Sequence, residues 1–179
     1  MFISNKLSEF YHNNNLAKDG GEEDSYFYLK FRLFKLKLPN SDFRKKVVYL
    51  HDIQHILYDC DVTWKGEAFV AGWEIATGIW KYFPLGTMSL WATGFSFLLH
   101  PKEVLRGYKQ GLLCNGIIDL KISKKEILKL SISDVKTLIK RKQPKQFNWF
   151  IFLFWILTAE IVVFFPLILS LIVVFYFSK

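Results

Sequence analysis

A mainly helical domain with one or two short N-terminal strands and a C-terminal hydrophobic membrane helix is the fold class this sequence predicts. Three observations predict it. From Phe147 to Phe177 the only charge is Glu160, and eight of the 18 Phe fall in that run. Between Asp42 and Ile139, apolar residues recur at three- and four-residue intervals between residues suited to capping helices. Alternation with a period of two is confined to the stretch from Phe27 to Leu38.

The elements follow in order. Residues 1–25, with NNN and DGGEED, are polar and carry little that could be buried, so they read as a mobile tail. They contain no apolar stretch of the kind a secretory signal needs. Phe27, Leu29, Phe31 and Leu33 alternate with Tyr28, Lys30 and Arg32, and Leu36 and Leu38 resume the pattern after a slip at Phe34 and Lys35. Pro39 and Asn40 end this run. Ser41 or Asp42 caps a helix over 42–58 that puts Phe43, Val47, Leu50 and Leu57 near one face. Thr63 opens a second helix reaching about Trp80. The apolar run from Pro84 to Leu99 is too short for an upright span and reads as a core helix or a membrane-touching surface. Pro101 starts the next helix, which continues to about Cys114. Ser123 with Glu126, and Ser131 or Ser133 with Asp134, cap two short helices.

The 179 residues are 51% apolar, 18% aromatic and 22% charged, which excludes a disordered chain and makes one core the expectation. A net charge of +8 suits an anionic membrane surface or nucleic acid. Lys and Arg gather at 30–46 and 121–145. Lys136, Lys140, Arg141, Lys142 and Lys145 directly precede the membrane segment, so lipid headgroups explain them better and no nucleic-acid partner is expected. Cys60 and Cys114 lack the spacing of a disulfide framework or a thiolate zinc site and point to a reducing compartment.

A helix from Phe147 to Phe177 is roughly 46 Å long, more than the roughly 30 Å hydrocarbon core requires. It therefore forms a single tilted or kinked span with its ends in the interface, the reading adopted, or a re-entrant pair of helices broken near Glu160 or Pro166. Trp149 and Trp155 suit the near interface, and Tyr176 with Lys179 the far one. Glu160 sits at a hairpin tip, pairs with a partner helix or stays protonated. The cationic flank places the soluble part on the cytoplasmic side, or its matrix equivalent. The chain divides into a tail (1–25), a helical metal-binding domain (26–145) and a membrane-anchoring segment (146–179).

The chemistry-bearing stretch is residues 49–78. His51 and His55 are four apart, so on a helix both imidazoles leave one face and can reach one ion, such as zinc, iron or nickel. Asp52 is a third ligand or an acceptor that fixes a histidine tautomer. After eleven intervening residues comes Glu67, on a helix that the turn at 58–63 can fold back antiparallel. Glu74, seven residues on and on the same side, is a candidate outer-shell or substrate-facing carboxylate. The opposing reading is an ordinary pair of packed histidines with Glu67 complementing a helix dipole.

His51-Asp52-x-x-His55, with Gly66-Glu67 and then Trp73-Glu74, resembles the signature of the ubiquinone (coenzyme Q) biosynthesis family called Coq four. The resemblance covers about residues 27–142. It implies a mostly helical fold in which His51, Asp52, His55 and Glu67 bind a divalent metal, zinc first and iron as the alternative. It also implies association with membrane lipid and binding of a prenylated quinone precursor. The associated role is to organise other quinone-pathway enzymes and to act in oxidative decarboxylation of a prenylated hydroxybenzoate. The glycine that usually follows the histidine helix is replaced around Tyr58 and Asp59, and the hydrophobic C-terminus is an addition to the pattern.

Two alternatives carry weight beside it. One is a non-enzymatic, membrane-anchored lipid-binding scaffold with a structural metal. The other is a metal-dependent phosphohydrolase suggested by His51-Asp52, which would need an upstream histidine that only His12, in the tail, could supply. A homodimer is compatible with each of these readings.

Overall fold

A computed structural model describes residues 1–30 and 35–178. Phe31, Leu33 and the slip at Phe34, part of the expected strand pattern, lie outside the described residues. The single core expected from chain length is instead divided between two compact units, because the chain leaves the first at Cys60 and returns to it at Lys121. The first unit is Met1–Cys60 with Lys121–Leu138, and the second is Asp61–Leu120 with Ile139–Lys179.

The first unit begins with a helix where a polar tail was expected. Helix α1 (Ile3–Asn13) buries Ile3, Leu7 and Tyr11, which are four residues apart and so share one face. Ile3 is fully enclosed. Its start is held by the returning chain: Ile3 N–H donates to the Leu130 carbonyl at 2.8 Å and Ser4 N–H to the Leu128 carbonyl at 3.1 Å. Ile3, Leu7 and Tyr11 dock a helix whose other residues, Phe10 apart, are polar.

Strands β1 (Tyr26–Lys30) and β2 (Lys35–Pro39) form an antiparallel pair in the register Phe27↔Leu38 and Leu29↔Leu36. Asn40 secures the hairpin's base, its amide donating to the carbonyls of Gly21 and Asp24 at 2.8 and 2.9 Å. Helix α2 (Asp42–Tyr58) follows, with Ser41 Oγ accepting from Arg44 N–H as its N-cap. It buries Val48, Ile53 and Leu57.

The second unit opens with α3 (Trp64–Thr77), a one-turn 3-10 helix (Ile79–Lys81), α4 (Leu85–Leu99) and α5 (Pro101–Gly111). Helices α3 and α5 cross at backbone contact. A Cβ on Gly107 would come within 1.9 Å of the Phe69 carbonyl oxygen, and one on Gly72 within 2.1 Å of that of Val104. Around this crossing Ala68, Ile75, Val104, Tyr108, Phe152 and Ile156 form the core. A second 3-10 turn (Ile117–Leu120) ends this segment.

The remaining helices complete the two units. Helix α6 (Lys124–Ile127) has the Ser123–Glu126 capping box that the sequence predicts. Helix α7 (Ile132–Ile139) is preceded by Ser131, whose Oγ accepts from Asp134 N–H at 3.1 Å. Arg141 and Lys145 N–H donate to the carbonyls of Leu113 and Leu112 at 2.9 and 3.0 Å, and this extended link leads to α8 (Trp149–Phe177). Asn148 caps α8 by accepting from Phe150 and Ile151 N–H.

Helix α8 is long and apolar enough to cross a membrane. It runs unbroken through Pro166. Its buried residues, Phe152, Ile156 and Ala159, lie at four- and three-residue spacing on one face of its first half.

Candidate metal centre

The site is built on α2. Its helical backbone places His51 and His55 one turn apart, with ring centroids 4.9 Å apart and nearly perpendicular planes. Their Nε2 atoms are separated by 3.2 Å. His55 is buried and packs against the Phe10 ring, 5.7 Å between centroids, so the α1 helix that the sequence reading missed forms one wall.

The orientation of His55 comes from how α2 ends. Asp59 adopts the left-handed conformation (φ 52, ψ 45), and Cys60 N–H bonds back to the His55 carbonyl at 2.9 Å. The same turn brings the Cys60 carbonyl oxygen to 3.3 Å from His55 Nδ1. A carbonyl only accepts, so this bond needs the proton on Nδ1 and leaves Nε2 of the neutral ring with its lone pair directed at His51.

Asp52, expected as a third ligand or as the group orienting a histidine, accepts from Tyr11 Oη through Oδ2 at 2.9 Å. The carbonyl of Cys60 takes the orienting role for His55. Sequence reasoning missed it because a main-chain oxygen has no residue identity; the cue was the short, non-glycine turn at Asp59.

In the second unit, Glu67 stands in the first turn of α3, with its N–H donating to the Thr63 carbonyl at 2.9 Å. Asp61 Oδ1 accepts from Thr63 N–H at 3.0 Å and from Thr63 Oγ1, closing the turn before the helix. Glu74 lies two turns further along, buried, with Oε2 accepting from Ser89 Oγ at 2.7 Å. The carboxylate expected to face a substrate is therefore held by α4.

Among the described residues of the first unit, His51 and His55 are donors that could hold a metal ion. The donor chemistry fits one. Two nitrogens each about 2.0–2.1 Å from a tetrahedral ion stand about 3.3 Å apart, close to the separation of the two Nε2 atoms.

No protein-family model, characterised protein or solved structure matches this chain.

Proposed function

We propose that this protein is a membrane-associated divalent-metal protein that binds a prenylated ring intermediate, as its resemblance to the quinone-biosynthesis family implies. Its role is in oxidative decarboxylation of that ring or in organising other enzymes of the pathway. The observation that carries the metal reading is the His51–His55 pair: Nε2 atoms 3.2 Å apart, with one ring oriented by a main-chain carbonyl. The resemblance in His51-Asp52-x-x-His55 and Gly66-Glu67 supports the pathway. The long apolar α8 supports a lipid-borne substrate.

In this reading His51 and His55, with Glu67 as the further donor that the sequence spacing suggests, would hold zinc, or iron, and Asp52 braces the histidine helix through Tyr11. An ion held there would supply Lewis-acid polarisation of a phenol or carboxylate oxygen on the ring. The Cys60 carbonyl keeps the His55 proton on Nδ1. Lys136, Lys140, Arg141, Lys142 and Lys145 precede α8, a cationic flank that supports a cytoplasmic or matrix position for that end.

Elemental analysis of the detergent-purified chain tests this, with wild type beside His55→Ala and Glu67→Gln and with co-purified lipid extracted from each. One metal per chain in the wild type, lost from both variants while they keep their helical circular dichroism, together with a prenylated ring compound, is the expected result. A metal-free wild type, or folded variants that keep their metal, overturns the reading and leaves a membrane scaffold.

A further inference from the structure

Helix α4 has its polarity turned outward. A core helix of a water-soluble protein buries its large apolar side chains and exposes polar ones. In α4 the buried positions are Gly86, Ser89, Thr93, Gly94 and Ser96. Met88, Leu98 and Leu99 are exposed, and no residue of the helix is charged.

The buried polar groups act as contacts between helices. Ser89 Oγ donates to Glu74 of α3 at 2.7 Å, and Thr93 Oγ1 lies 2.7 Å from the Ser89 carbonyl and 3.3 Å from that of Ala71. Small residues and hydroxyls on the packed face, with large apolar chains on the free face, are how helices associate in lipid.

What covers the free face is indicated by the neighbouring helix. Gly94 sits against α8 so closely that a Cβ would lie 2.7 Å from the Ala159 carbonyl oxygen. Phe97 of α4 and Phe152 of α8 pack edge to face, 6.3 Å between centroids. The same first half of α8 turns Phe150, Leu153, Phe154 and Leu157 outward. Packed against each other, both helices thus turn large apolar side chains outward.

At 15 residues, or roughly 22 Å, α4 cannot cross a roughly 30 Å hydrocarbon core. It can lie within one leaflet. Trp80, Lys81 and Tyr82 precede it and His100 with Lys102 follow it, the residue types found at a membrane interface. Near the start of α8, burial first, and then the charges of Arg141 and Lys81, hold the Lys145 ammonium below its usual range. Anionic headgroups would relieve that crowding.

We propose that α4 is embedded beside α8 in the near leaflet of the bilayer, its Met88, Leu98 and Leu99 side in contact with acyl chains. This makes the second unit an integral part of the membrane rather than a soluble body on a tether. It rests on the reading that α8 lies in the membrane.

The test uses the full wild-type chain in vesicles of phosphatidylcholine and phosphatidylglycerol, with a fraction of the lipid carrying a photoactivatable diazirine in its acyl chain. Adducts are mapped by mass spectrometry. The expected result is labelling of Met88, Leu98 and Leu99 at yields comparable to Leu153 and Leu157, with Met88 spared by aqueous hydroxyl radicals. Labelling of α8 alone, with Met88 oxidised or shielded by a second protein chain, overturns the proposal while leaving the α8 reading intact. An unlabelled α8 overturns that underlying reading as well.

Discussion

Tyr11 and Asp52 form a buried hydrogen bond of 2.9 Å that joins α1 to the histidine helix, one residue from His51. Tyr11→Phe is expected to lower stability by about 1–3 kcal/mol, because the carboxylate loses a donor in a site closed to water. Denaturant unfolding in detergent measures the loss, and an unchanged midpoint would show that the bond contributes nothing.

The same pair gives a pH dependence. Burial first, and then the charge of Asp52 and the hydrogen bond to it, push the Tyr11 hydroxyl far above its usual value. The folded state therefore holds the proton more tightly than the unfolded state. Stability from this group is fully present below the unfolded tyrosine value of about 10 and falls as pH rises above it. Unfolding midpoints at rising alkaline pH should drop less steeply in Tyr11→Phe than in wild type.

Asp59 ends α2 with a positive φ of 52, a conformation that costs an L-residue about 1 kcal/mol relative to glycine. Asp59→Gly should therefore raise the unfolding midpoint by an amount equivalent to about 1 kcal/mol. If the proposed metal is bound, its content should stay unchanged, because the Cys60 carbonyl keeps its place. A stabilised variant with reduced metal would show that the aspartate side chain, beyond its backbone, contributes to the site.

Much of this architecture can be read from residue types. Ser41, the His51–His55 spacing and the Ser123–Glu126 box are local patterns, and the helices they define sit where those patterns put them. Helix α1 was hidden because only Ile3, Leu7 and Tyr11 of a polar segment are buried, and they gain their meaning from the returning chain at 128–131. In α8 an all-apolar sequence has no periodicity to show which face packs, so the Phe152–Ile156–Ala159 stripe was equally hidden. At the candidate centre the imidazoles were legible, whereas the Tyr11 partner of Asp52 and the Ser89 partner of Glu74 depend on tertiary packing.

The crossing of α3 and α5 offers a test of packing. A methyl group on Gly107 would meet the Phe69 carbonyl oxygen at 1.9 Å, far inside van der Waals contact, and that oxygen belongs to the backbone of a helix. Gly107→Ala should separate the two helices and cost about 1–3 kcal/mol or more, despite the higher helix propensity of alanine. Thermal unfolding in detergent checks this, and a stabilised variant would contradict the close crossing.

Glu160 presents the opposite problem within α8. Both carboxyl oxygens are buried, and neither has a hydrogen-bond partner among the described residues. A buried polar group without a partner costs about 1–3 kcal/mol, and an apolar side chain of similar size avoids that cost. Glu160→Leu should therefore unfold at a higher detergent-denaturant concentration than wild type, with Glu160→Gln close to wild type because its amide is equally unpaired. If Glu160→Leu is instead the less stable and elutes as a smaller species in size-exclusion chromatography, the carboxyl group is satisfied by a second copy of the chain, and α8 is a helix-pairing element as well as an anchor.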